Sequence, residues 1–231
     1  MNRLYIAACL IWYDEAPEDL RRMAESLKGF ANGMVALDGA FKEFPVEEGE
    51  PPWSNCAQAK ALAEGCSKAG MELLLHQPSQ AGRWPMGYAG NEVEKRNASV
   101  ALAGALDATW VFNIDADMYL YDAGDSRTQL MKTDKGVAMT NIEGTPSRHH
   151  LFRWSPTLRF RGAHWVVLDG DKLYSGTEQM RESPEFPNGL EPCIDLRDTL
   201  KFDHPEKKDF WRRARQNAWY RVRDSEQIEY V

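Results

Sequence analysis

Positive charge is in short supply in this 231-residue sequence: 28 Lys and Arg stand against 35 Asp and Glu, a formal charge of −7. Such a chain has no general attraction for nucleic acid or anionic lipid, which excludes non-specific duplex binding. Cysteine is scarce as well. Its four copies, Cys9, Cys56, Cys66 and Cys193, form no CxxC pair and no tight framework, so neither a thiolate metal site nor a secreted disulfide scaffold is implied. Cys9 lies in an apolar run and reads as a small buried hydrophobe. Long hydrophobic runs are missing too. The apolar start, Leu4 to Trp12, is too short to span a bilayer, lacks a small-residue cleavage site and runs straight into Tyr13-Asp14-Glu15. The expectation is a soluble, cytoplasmic protein. Internal repeats, low-complexity tracts and interdomain linkers are also absent.

What is present is an ordinary globular composition, 43% hydrophobic and 27% charged, which excludes disorder. The length suits one domain over residues 1–231. Tryptophan is over-used at eight copies, most of them beside polar residues, a placement that suits both core packing and flat, partly polar ligands such as sugars and bases.

Leu4 to Ile11 is a continuous apolar run of strand length, as in a parallel strand buried on both faces. Pro17 then opens a helix in which Leu20, Met23 and Leu27 recur at helical spacing up to Gly29. Gly33 to Leu37 is a second strand, ending in Asp38-Gly39. This strand-helix-strand opening is the grammar of an α/β sheet with right-handed crossovers. Residues 44–54 form an acidic, proline-punctuated loop, and Ser54 is read as the N-cap of a helix running to about Ala69. Met71 to His76 is a third strand, residues 77–90 a long irregular loop, and Asn91 to Leu106 a helix. Thr109 to Ile114 makes a fourth strand, closed by Asp115-Ala116-Asp117. Beyond it, residues 136–142, 151–154 and 164–168 read as shorter, more antiparallel strands. A terminal helix is expected from Pro205. Residues 207–223 hold seven basic side chains and one acid, Asp209.

Asp115-Ala116-Asp117 is the strongest chemical feature. Ligands of open α/β sheets sit at the carboxyl ends of the strands. Two carboxylates one residue apart repel each other unless a cation lies beside them, and Mg²⁺ or Mn²⁺ favours such oxygens when substrate phosphates complete the shell. The competing reading is a turn in which Asp caps the strand end.

Four segments in order, Leu10-Ile11-Trp12-Tyr13-Asp14-Glu15, Ala36-Leu37-Asp38-Gly39, Lys95-Arg96-Asn97 and Asn113-Ile114-Asp115-Ala116-Asp117, resemble the nucleotide-sugar half of GT-A glycosyltransferases, especially the family 2-like group. Asp14 stands where that group usually has Asn, and Asp38-Gly39 is a reduced form of its second motif. Asp38-Gly39-Ala40-Phe41 beside Phe44-Pro45, together with Arg153-Trp154, is similar to small phage- and actinobacterium-type members. The resemblance covers residues 4–120. It implies a GT-A, Rossmann-like, mostly parallel central sheet with helices on both faces. The nucleotide-sugar-binding half would be 1–120, the smaller antiparallel acceptor side 121–204, and a basic C-terminal helix 205–231.

The resemblance also implies roles. Glu15 and Asp38 would accept hydrogen bonds from ribose and base, although helix-end charge and turn capping explain them too. Lys95 and Arg96, at the start of a helix, would meet the diphosphate, unless they are a solvated helix face. Asp117 would hold a divalent cation, Mn²⁺ or Mg²⁺, with Asp115 reaching the metal or the ribose. His204, just before the basic terminal helix, would complete the metal site or simply cap a turn. His164 would face the acceptor or be a core residue. His149-His150 reads as a polar loop and His76 as structural. The implied reaction is sugar transfer from a nucleoside diphosphate sugar, UDP-linked in preference to GDP-linked, to an acceptor hydroxyl. An inverting enzyme needs a carboxylate base, for which Asp169, Asp171, Glu178, Glu191 and Asp195 are candidates.

Rival readings are weaker on chemical grounds. A D-x-D phosphatase or phosphotransferase wants its pair on the first strand with a small hydroxyl residue two positions on, where Tyr119 stands. A nucleotidyltransferase wants a Gly-rich phosphate loop after strand one, where Trp12-Tyr13-Asp14-Glu15 stands. A non-catalytic nucleotide-sugar-binding module remains compatible with the same residues.

Overall fold

A computed structural model of the chain describes residues 3–40, 46, 52–76, 91–142, 148–161, 163–176 and 178–203. The terminal helix, His204, Phe41, Phe44-Pro45, most of the acidic loop and the 77–90 loop lie outside the described residues.

The first half alternates strand and helix: β1 (Ile6–Trp12), α1 (Pro17–Ser26), β2 (Gly33–Asp38), α2 (Cys56–Ala69), β3 (Glu72–His76), α3 (Glu92–Ala103) and β4 (Trp110–Ile114). Shorter elements follow: β5 (Tyr119–Asp122), α4 (Ser126–Lys132), β6 (Val137–Ile142), β7 (Arg148–Arg153), β8 (Leu158–Arg161), β9 (Ala163–Asp169), β10 (Lys172–Ser175), α5 (Glu178–Arg181), β11 (Cys193–Asp195) and β12 (Lys201–Asp203). Among the described residues, the central sheet has the order β3-β2-β1-β4-β7-β6-β12-β5, with β11 beside β6. The order β10-β9-β8 makes a separate antiparallel sheet. β1 to β4 pair in parallel, whereas β7 runs antiparallel to both β4 and β6. The second half is mixed rather than simply antiparallel, because β11 and β12 both add to β6 in parallel.

The apolar runs explain this layering. In β1, Ile6, Ala8, Leu10 and Trp12 pack with Leu20, Met23 and Leu27 and with Leu62 and Cys66 of α2. The alternate residues Ala7 and Cys9 pack on the opposite face with Val93, Val100 and Ala103 of α3. A strand covered by helices on both faces has no polar side, which is why its sequence shows no alternation. The small sheet joins the α3 side through Leu158, Phe160, Val167 and Tyr174. Two hydrogen bonds tie it to the helix: Asn97 Nδ2 donates to the Phe160 carbonyl (3.0 Å) and the Phe160 amide donates to Asn97 Oδ1 (2.6 Å).

The starts of α2 and α3 follow capping chemistry. Asn55, not Ser54, caps α2, its side chain accepting from Ala57 and Gln58 while the Gln58 side chain answers the Asn55 amide. Asn91 and Glu94 form the same reciprocal box on α3. All four cysteines are free thiols, with Cys9 buried as expected. Among the described residues no helix is long and apolar enough to cross a membrane.

Candidate active site at the carboxyl ends of the parallel strands

β1 leads to β2 on one side and pairs with β4 on the other, so the strand order reverses at β1. The ladders end with Trp12 opposite Asp38 and Leu10 opposite Ile114. A crevice outside the carboxyl ends at such a switch point is the ligand position of open α/β sheets. Three of the four sequence segments end here, at Trp12, Asp38 and Ile114, and the fourth supplies Lys95 and Arg96, whereas its Asn97 bonds the small sheet at Phe160.

At the β2 end, Asp38 is wholly buried. Its carboxylate accepts from the Gly39 amide (2.6 Å), the Ser54 amide (3.0 Å) and the Ser54 hydroxyl (2.6 Å). Gly39 has φ +104°, a left-handed turn that a side chain would strain. The β1 end turns at Asp14, φ +52°, whose amide donates to Ser54 Oγ (3.1 Å). Gln58 Nε2 donates to the Glu15 carbonyl (2.7 Å), leaving that half-buried residue anchored by its backbone. Ser54 therefore joins both turns, a role that its reading as a helix cap missed.

The first two turns of α3 deliver two cations beneath this edge. Lys95 is only 2% exposed. Its Nζ donates to the carbonyls of Trp12 (3.1 Å) and Gly39. Burial pulls its pKa down to about 7, against the opposing charge of Asp38. Arg96 is equally sheltered. It donates Nε and Nη2 to Glu92 (3.0 and 2.9 Å) and Nη1 to Asn113 Oδ1 (2.7 Å). Nη2 also stands 3.6 Å from Asp115. Burial alone would lower the guanidinium pKa, but the charges of Glu92 and Asp115 outweigh it and raise it. Neither cation is a solvated helix face. Glu92 and Asn113 are the partners sequence reasoning missed, although Glu92 and Arg96 stand at the i, i+4 spacing that signals a helix pair.

At the β4 end, Asp115 is 50% exposed at its side chain, so it can meet Arg96 and a ligand together. The Met118 amide donates to the Asp115 carbonyl (3.1 Å), closing the turn, while Ala116 and Met118 are buried and Asp117 is half-buried. Among the described residues no group of three or more His, Cys, Asp or Glu side chains is placed to hold a metal ion. The expected third ligand, His204, falls outside those residues.

The other candidates lie on β7, β9, β11, α5 and the turns around β10. Asp169 accepts from Thr157 Oγ1 (2.6 Å), Tyr174 OH (2.9 Å) and Ser155 Oγ. Burial would raise its pKa, yet these three donors hold it below the usual carboxylate range. Asp195 is locked to Arg197, whose Nε lies 2.9 Å away, and this pairing lowers its pKa. Both effects oppose a general base. Asp171 and Glu191 line a surface pocket of about 390 Å³ beside Lys172 and Phe186. Glu178 opens α5, and His164 lies on β9, His149-His150 on β7; of these only the backbone is described. His76 ends β3, its pKa lowered by burial.

No family model matches the chain, and no curated protein matches it. Among solved structures, S. aureus TarS 1-349 in complex with UDP-GlcNAc is similar with a TM-score of 0.46 at 8% identity, over 89% of this chain and 60% of that one. S. aureus TarS gives 0.45 at 11% identity, over 86% of this chain and 36% of that one. A mannose-1-phosphate geranyltransferase from Thermus thermophilus gives 0.33 at 14% identity, over 66% and 51%. The chain spans less than two thirds of the length of each, and likenesses of this size leave the activity to be argued from the site itself.

Proposed function

We propose that this protein is a GT-A-type glycosyltransferase that takes a sugar from a nucleoside diphosphate sugar, UDP-linked in preference, with a divalent cation at Asp115 and Asp117. The observation that carries this reading is the half-exposed Asp115 at the carboxyl end of β4, facing the β1–β4 switch point with a buried arginine behind it. Two carboxylates suit Mg²⁺ or Mn²⁺, because hard cations of this kind commonly take one or two protein carboxylates and complete their shell with substrate phosphates. Bound there, the cation would supply charge neutralisation for the departing diphosphate. The chain's own part is positional: Arg96 holds Asp115, and the turns at 12–15 and 38–40 form the wall on which base and ribose rest. The acceptor oxygen attacks the anomeric carbon, and the bond from that carbon to the diphosphate oxygen breaks. The nucleoside diphosphate leaves with the electron pair, and the acceptor proton passes to a base. Of the five candidate bases, Asp169 and Asp195 are the less suited, because their oxygens already accept strong hydrogen bonds, which leaves Asp171, Glu178 and Glu191.

A panel of nucleotide sugars with Mn²⁺, read as release of free nucleoside diphosphate, tests the proposal. Turnover should vanish in chelator and fall at least about a hundredfold in Asp117→Asn, the scale of losing one electrostatic stabiliser. Tight, chelator-sensitive binding without turnover for any acceptor or water would favour a binding module. Binding indifferent to chelator would remove the cation from the site.

A further inference from the structure

Lys95 is a buried cation that does not reach the outer face of the site, and its surroundings suggest another task. The β1–β2 ladder stops at the pair Trp12 and Asp38. Beyond it the two strands run into turns with positive φ at Asp14 and Gly39. Parallel strands lose their mutual hydrogen bonds at such a point, and the last carbonyls need other donors. Lys95 Nζ supplies them, reaching the carbonyls of Trp12 on one strand and Gly39 on the next. Beside it Ser54 bridges the same two turns from the α2 side, accepting from the Asp14 amide and donating to Asp38.

We infer that Lys95 is a positioning residue, a side-chain rung that continues the β1–β2 ladder past its end and holds residues 12–15 and 38–40 in the arrangement that receives the nucleotide. Its role in nucleotide binding rests on the function proposed above; the bracing itself does not. An ammonium suits the task because three rotatable donors can serve carbonyls on two strands together. A methionine has similar length and apolar stem but no donor. The carboxylate of Asp38, inward-facing and already held by Ser54 and Gly39, supplies the nearby counter-charge that keeps a cation tolerable at this depth. The bracket thus joins three elements, with Lys95 from α3, Asp38 from β2 and Ser54 from the lead-in to α2.

The test is amide hydrogen exchange on the ligand-free wild type and Lys95→Met. The variant should exchange the amides of residues 13–15 and 39–40 at least about tenfold faster, while residues 115–118 at the β4 end keep wild-type rates. Unchanged rates at both turns, or a uniform rise across the sheet, would overturn the bracket. Should the variant fail to fold, the wild type answers alone by nitrogen-detected NMR of lysine side chains. The Lys95 ammonium protons should then exchange far more slowly than those of surface Lys60, and equal rates would overturn the proposal. Affinity for UDP with Mn²⁺, by calorimetry, should drop at least about tenfold in Lys95→Met. Faster exchange with unchanged UDP affinity would deny the bracket its nucleotide role. A wild type that binds no nucleotide would sink the functional proposal while leaving the exchange result intact.

Discussion

Among the described ion pairs, that of Arg96 with Glu92 is the most sheltered from water. The two side chains are 7% and 12% exposed. Removing one member of such a pair leaves a buried charge alone, at a cost of about 3–5 kcal/mol. Arg96→Met should therefore lower the free energy of unfolding in urea by that amount, and the double change with Glu92→Gln should recover most of it. The same variant should weaken Mn²⁺-dependent UDP binding, because Asp115 loses the cation that orients it. If Arg96→Met is as stable as wild type, the pair contributes no more than a solvated surface bridge. Asp38 is also held from within the protein, its carboxylate accepting from the Gly39 amide and from the amide and hydroxyl of Ser54.

At the level of elements, α1 and α2 pack so closely that side-chain volume is excluded between them. A Cβ on Gly65 would lie 2.7 Å from the Arg21 carbonyl and 2.8 Å from the Ala24 Cβ. Gly65→Ala gains helix propensity worth about 1 kcal/mol but must push the helices apart, at a typical overpacking cost of about 1–3 kcal/mol. A net loss of stability is expected in thermal unfolding, and a gain would mean that the helices separate freely. Helix starts offer a second test. Asn55→Ala should cost about 1 kcal/mol as a lost cap. Ser54→Ala should instead loosen both site turns, because its hydroxyl bonds Asp14 and Asp38 rather than the helix. Elements with clear apolar runs, β1 through β4 with α1 to α3, could be read directly from the chain, although the cap of α2 lies at Asn55 rather than Ser54. β5, β8 and β10 through β12 could not. They are three or four residues long, too short for any period to show, and tertiary pairing alone makes them strands.

For the whole molecule, Lys95 makes stability depend on pH with a definite sign. Its folded pKa, near 7, lies below the usual lysine value of about 10.4, so between these limits the unfolded chain binds more protons. Its unfavourable contribution is fully present below pH 7 and fades as pH rises through the window. The charges bearing on it are Asp38 from β2, Glu15 after β1, and Arg96 and Glu92 from α3. Cys9 and Cys66, with thiols pushed up to about 12, act in the opposite sense above their unfolded pKa, and His76 adds a rise near its own. The clean observable is therefore the difference between wild type and Lys95→Met. The melting temperature of the variant relative to wild type should fall steadily from pH 6.5 to 9, and a constant difference would refute the shifted lysine.

The chain's own order of residues determined the alternation of the first half and the position of Asp115-Ala116-Asp117 at a strand end, because both follow from local hydrophobic runs and turn chemistry. Only the tertiary structure decided which charged side chains remain available to a ligand. Lys95 meets Trp12 across 83 residues of sequence, Asp169 is held by Ser155 fourteen residues away, and Arg96 reaches Asn113 on another element. Burial and hydrogen-bond satisfaction depend on what is close in space, and no spacing within one segment encodes that.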